Sequence, residues 1–113
     1  MAIRITSDST CDLTPGQLQR YDIALMNLYV HLGERCLRDV AEVAAADVFE
    51  YVNSGAGMCS TSAASIGDYM DLFAPLAAEN EAVVHISLGS DMSSSYQNAV
   101  LASREFDNVH VVD

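Results

Sequence analysis

The chain has 113 residues, half of them hydrophobic, and a formal net charge of −11, with 16 acidic residues against 5 arginines and no lysine. It is long enough for one small domain with a real core and too apolar for a disordered acidic tail. The scattered cations (Arg4, Arg20, Arg35, Arg38 and Arg104) do not form the basic cluster that nucleic acid demands, and no apolar run reaches the ~18 residues of a membrane span.

A strand is expected at once, over Ala2–Thr6. With no leader expected ahead of it, the reading is a soluble, cytoplasmic protein. Thr14 then caps a short helix, with Pro15 at its first position and Gln17 completing a capping box. Ile23–Leu32 is long, apolar and partly β-branched, and reads as a second strand. Gly33 turns the chain. Ala45–Asn53 is a modest helix closed by Ser54–Gly57.

Ser65 caps the next helix, with Asp68 placed to favour its dipole. Ile66, Tyr69, Met70, Phe73 and Ala77 share one face of it, and Pro75 is expected to kink or shorten it. Ala82–Ser87 is a buried strand. Ser93–Phe106 is a helix with Tyr96, Ala99, Val100 and Ser103 inward, and "NVHVVD" begins a last strand. The order β-α-β-α-α-β-α-β implies an α/β fold with a mostly parallel sheet and helices on both faces. The strand that stops at Asp113 suggests a fragment, or half of a larger protein.

In such folds the functional loops lie beyond the carboxyl ends of the strands. Three segments qualify: "TSDSTCD" (6–12), "CSTSAAS" (59–65) and the serine cluster in "ISLGSDMSSSYQNAV" (86–100). Each is rich in hydroxyls and adjoins a helix N-terminus, which offers unpaired N–H groups and partial positive charge. That construction suits a carboxylate or a phosphate. It would also hold an anion without lysine, against the repulsion of an acidic molecule. Serines at helix starts are equally ordinary caps, and Ser, Thr and Asp fill ordinary turns.

Other chemistries fit less well. "DST" after a strand resembles an aspartyl-phosphate nucleophile, but Thr10 stands where a general acid is needed. Gly89–Ser90–Asp91 lacks the flanks of a nucleophile elbow. Gly55-Ala56-Gly57 follows a helix and lacks a third glycine, so no dinucleotide site is read. His31, His85 and His110 sit in apparent strands and are expected to be packed or exposed rather than bases. Cys11, Cys36 and Cys59 lack metal spacing and read as reduced, structural thiols. A small-molecule phosphatase or esterase using Asp8 or Ser93 stays as the rival reading, and an isolated domain without activity as a third.

Taken together, the segments resemble the DegV family of bacterial fatty-acid-binding proteins, which include the lipid-carrying subunits of bacterial fatty acid kinase. "ITSDSTCDLTP" is similar to the family's opening strand and D-S-T-x-D-L-P. "ALMNLYVHLGERCLRD" is similar to its second strand, which ends in a hairpin and an Asp, here Asp39. "CSTSAAS" is similar to T-S-Q-P-S, "SLGSDMSSSYQNA" to S-S-x-L-S-G-T-Y-Q-S-A, and "VHVVD" to the strand that begins the link to a second half.

The resemblance implies that residues 1–113 are the N-terminal α/β domain of a two-domain fold whose second domain is absent. It implies a long-chain fatty acid as ligand, no cofactor or metal, and no catalytic residue. It also implies a separate kinase catalytic subunit as partner, to which the bound carboxylate is presented. Carried over by position, Thr61 and Ser62 match the threonine-serine pair at the head group, and Ser93 the serine of S-G-T. Asp8 and Ser9 match the first loop. Ser94 stands where the family has glycine and Ser95 where it has threonine, while Ala63 and Ala64 replace Gln-Pro. If that glycine is needed for a positive φ, Ser94 is strained. The tail would need an apolar wall, for which Leu28, Val30, Tyr69, Met70 and Phe73 are candidates. A lone half would expose its domain interface, so self-association is expected.

Overall fold

A computed structural model describes residues 2–113. The chain forms strand β1 (Ile3–Asp8), a 3-10 turn (Ser9–Cys11), helix α1 (Pro15–Arg20) and strands β2 (Ala24–Met26), β3 (Tyr29–Leu32) and β4 (Arg35–Arg38). Helix α2 (Ala45–Asn53), strand β5 (Cys59–Ser62), helix α3 (Ile66–Glu79), strand β6 (Ala82–Ile86), helix α4 (Ser95–Ser103) and strand β7 (Val109–Val112) follow. No helix among the described residues is long and apolar enough to cross a membrane.

The fold is α/β, built on a four-stranded sheet of order β2-β1-β6-β7 in which every pairing is parallel. Helices α3 and α4 pack on each other and on this sheet. Their shared core holds Met26, Tyr69, Phe73, Val83, Ala99, Ala102 and Val109. The right-handed rule for β-α-β crossovers assigns α1 to the opposite face, because β2 and β6 flank β1 on opposite sides. On that face Ile3, Ile86 and Val112 remain exposed.

Local signals decide the helix starts. Thr14 Oγ1 accepts from Gln17 N at 3.2 Å while Gln17 Oε1 accepts from Thr14 N at 3.0 Å. Ser65 and Asp68 form the same reciprocal pair at 3.1 and 2.9 Å, satisfying N–H groups that the helix leaves unpaired. Pro75 does not end α3, which runs on to Glu79. Proline forfeits one intrahelical bond, but it sits on the exposed side while Tyr69 and Phe73 anchor the helix in the core. On α3, Ile66 lies outside the expected face. On α4, which spans less than the expected 93–106, Ala102 is buried beside Ala99.

The largest departure is in the second expected strand, which splits in two. Ala24–Met26 stays in the parallel sheet, whereas Tyr29–Leu32 enters a separate antiparallel sheet of order β4-β3-β5. The break falls where the backbone of Leu28 bonds elsewhere: its N–H donates to Ser9 Oγ at 3.1 Å and its carbonyl accepts from Asp39 N at 2.8 Å. Gly33 (φ 64°) supplies the left-handed residue of the β3–β4 hairpin turn. "CSTS", expected as loop, is strand β5, with Thr61 opposite Val30 and Ser62 opposite Tyr29. A second small core of Val30, Leu32 and Val43 lies beneath this sheet.

Candidate functional site

The hydroxyl-rich segments meet around one cleft of about 510 Å³. Thr61 and Ser62 of β5 and Ala63 just after it line one side, and Leu88, Met92, Ser93 and Ser94 of the segment between β6 and α4 line another. Leu28, Tyr29 and Val30 form its apolar floor, and Thr10 and Asp39 close a third side. This size lies within the ~300–1,000 Å³ of small-molecule pockets. A neighbouring cleft of about 700 Å³ shares Thr10 and Asp39 with it and is lined beyond them by Leu13, Pro15, Leu25, Val40 and Val43.

Long-range hydrogen bonds hold the walls together. Asn98 Nδ2 on α4 donates to Ala64 O at 2.8 Å, tying the serine-rich segment to the end of β5. Ser9 Oγ donates to Asp39 Oδ2 at 2.7 Å and accepts from Leu28 N, tying the first loop to β3. Ser93 Oγ accepts from Ser95 N and donates to Ser95 Oγ, both at 3.1 Å. Ser62 Oγ pairs with His31 Nε2 at 2.9 Å. Ser94 is in the right-handed helical region at φ −70°, so serine there carries no left-handed strain.

Thus Thr61, Ser62, Ser93 and Ser94 share a cleft, while three other candidates do not line it. Ser9 bridges Asp39 and Leu28, and Ser95 is fully buried behind Ser93. Asp8 faces inward at 1% exposure. Its Oδ1 accepts from Tyr69 Oη at 2.6 Å and from His85 Nε2 at 3.3 Å, and its Oδ2 accepts from Leu88 N at 2.8 Å. Burial pushes this carboxyl up, but the bonds from His85, Tyr69 and Leu88 outweigh it and hold it below its ordinary value. His85 Nδ1 pairs with Thr6 Oγ1 at 2.7 Å, so the Nε2–H tautomer satisfies both ring nitrogens. Burial and the neighbouring Asp8 raise the Tyr69 hydroxyl, which remains a donor.

The arrangement makes Asp8 an anchor for the segment that begins at Leu88, with both oxygens occupied and neither free to attack a substrate. Ser93 has Ser95 as its side-chain partner, and among the described residues no histidine or carboxylate bonds to it. Tyr69 and Phe73, expected as candidates for the tail wall, are fully buried core, and Met70 packs against that core. Leu28 and Val30 do line the cleft, joined by Leu88 and Met92.

The Asp8–His85–Tyr69 network and the place of Asp39 were missed from sequence. A histidine inside the buried run "AVVHI" was the available signal, but its partner is 77 residues away. The three cysteines form no disulfide.

A family model described as "Uncharacterised protein, DegV family" matches residues 2–113. A DegV domain-containing protein of Clostridium perfringens is 29% identical over 98% of this chain and 40% of its own length. The solved structure of a DegV family protein from Thermus thermophilus, described as fatty acid binding, is 32% identical with a TM-score of 0.92. It is matched over 100% of this chain and 41% of its own. DegV of Bacillus subtilis, described as a fatty acid binding protein, is 27% identical with a TM-score of 0.90, over 99% and 40% of the respective chains. This chain therefore spans about two-fifths of the length of these three relatives.

Proposed function

From the premise that the chain belongs to the DegV family, we propose that it contributes one of two domains to a long-chain fatty acid carrier. The domain holds the carboxylate with hydroxyls and helix-terminal N–H groups and presents it to a separate kinase. The observation that carries this reading is the single cleft in which Thr61, Ser62, Ser93 and Ser94 stand beside Leu28, Val30, Leu88 and Met92. Its polar side lies next to the start of α4, where unpaired N–H groups favour an anion. Its apolar side suits an acyl chain, each buried CH₂ adding ~0.8 kcal/mol. The fatty acid binding described for the similar Thermus and Bacillus proteins supports the same ligand. Presentation to a kinase is what the resemblance to the family implies.

In this reading Thr61, Ser62, Ser93 and Ser94 meet the head group, while Asp8, Ser9 and Ser95 hold the segments that carry them. The rival phosphatase or esterase would need a free nucleophile, and Asp8 has none to offer.

The test is palmitate binding by delipidated protein expressed from its own gene. Thr61→Val and Ser93→Ala each remove one charge-assisted hydrogen bond, worth ~1.5–3 kcal/mol. Each should weaken binding by roughly ten-fold or more; Ser93→Ala also removes the bond donated by Ser95 N, so its affinity is compared well below its own thermal transition. Unchanged affinity in both variants would refute the head-group assignment.

A further inference from the structure

Ser62 ends β5 and lines the hydroxyl cleft, and its Oγ lies 2.9 Å from Nε2 of His31. The bond runs diagonally across the small sheet. His31 stands opposite Ser60 on β5 and opposite Cys36 on β4, while Ser62 stands opposite Tyr29. Neighbours at that offset are within reach of a long side chain. His31 is not itself a lining residue of the cleft, so it acts on a ligand there through Ser62. The titratable and charged groups around it are Cys36, Tyr29 and Arg38 of the same sheet and Asp68 of α3. The Tyr29 hydroxyl donates to both Asp68 oxygens, at 3.2 and 3.1 Å, and does not compete for Ser62. Arg38 lines a separate cavity with Asp68 and Asp71. His31 Nδ1 bonds to no described residue, so nothing in the chain fixes which ring nitrogen carries the proton.

A serine hydroxyl carries one proton, and an ionised carboxylate offers only lone pairs. Ser62 can donate to such a head only when that proton points into the cleft, and its oxygen must then accept from His31. This requires a proton on Nε2. With the proton on Nδ1 alone, Nε2 takes the Ser62 proton, and Ser62 turns a lone pair toward the head group. We propose that His31 is a positioning residue: by donating Nε2–H to Ser62, it turns the one Ser62 proton toward the carboxylate of the ligand. The coupling is reciprocal, so a bound carboxylate draws the imidazole into the Nε2–H form. The inference rests on the head-group reading above and deepens it by naming the group that sets one of its hydroxyls.

The test measures palmitate binding by delipidated protein expressed from its own gene, with His31→Leu and His31→Gln each made alone and together with Ser62→Ala. His31→Leu should weaken binding by about ten-fold. His31→Gln, whose side-chain N–H can still donate to Ser62, should recover most of that loss. With Ser62→Ala already present, His31→Leu should change nothing further. A purely structural histidine would cost the same with or without Ser62. A loss that survives Ser62→Ala, equal losses in the Leu and Gln variants, or no loss in His31→Leu overturns the proposal.

If the Leu variant fails to fold, NMR of the wild type decides. The imidazole nitrogen shifts of His31 in protein saturated with palmitate should show Nε2 protonated, and a complex with a bare Nε2 overturns the proposal. The carrier reading fails separately. Absence of palmitate binding by the wild type removes that reading, and this inference with it. If Ser62→Ala binds as the wild type does while Thr61→Val and Ser93→Ala bind more weakly, the carrier reading stands and this inference falls.

Discussion

Tyr69→Phe isolates the buried network that anchors the cleft. Tyr69 is 0% and Asp8 1% exposed, and the bond between them is 2.6 Å. Phenylalanine keeps the ring and its contacts with Phe73 and His85 at 5.8 and 5.3 Å between centroids, so no cavity opens. What is lost is one hydrogen bond to a carboxylate, ~1.5–3 kcal/mol, and Asp8 Oδ1 keeps only His85 at 3.3 Å.

Urea unfolding at pH 7 should therefore show a loss of about 2 kcal/mol, or a midpoint lower by about 1.5 M for a slope near ~1.3 kcal/mol/M. The pH dependence adds a sign. Burial acts to raise the Asp8 pKa, but its donors hold the folded value below the ordinary 3.8. The carboxylate's contribution is thus present above that value and fades as pH falls through the folded pKa. Tyr69 is one of those donors, so wild type and variant should converge in acid. A loss under ~0.5 kcal/mol at pH 7, or a gap that stays constant into strong acid, would refute the argument.

Asp68→Asn should cost about 1 kcal/mol at pH 7 by weakening the cap of α3. Burial raises the Asp68 pKa, but bonds from Ser65 and Tyr29 and the charge of Arg38 hold it low. The difference in thermal midpoint should therefore shrink as pH falls from the ordinary value of 3.8 and vanish only below the lower folded value, and a gap that persists into strong acid would contradict the mechanism. Val40→Gly should raise stability by about 0.5–1 kcal/mol by relieving positive φ at an exposed position. A midpoint that fails to rise by ~2–5 °C in calorimetry would count against strain at Val40.

Much of the fold was legible because its signals are short-range. Both capping boxes join residues three apart, so Thr14–Gln17 and Ser65–Asp68 announced α1 and α3 directly. The parallel sheet followed from apolar runs alternating with helical patterns, which only a few topologies accommodate. The hydroxyl segments were also visible, because serine, threonine and their spacing are written in the chain.

What the residues alone determined, then, was the α/β class, the helix starts and the positions rich in hydroxyls. Tertiary structure decided which way those hydroxyls and acids point. It split 23–32 into two strands, turned "CSTS" into β5, drove Asp8 into the interior against Tyr69 and His85, and set Asp39 in the cleft. Each of these outcomes depends on partners far along the chain, such as Tyr29 with Ser62 or Asp8 with His85. A buried polar group goes where its hydrogen bonds can be met, and those donors and acceptors are brought within reach only when the distant segments pack.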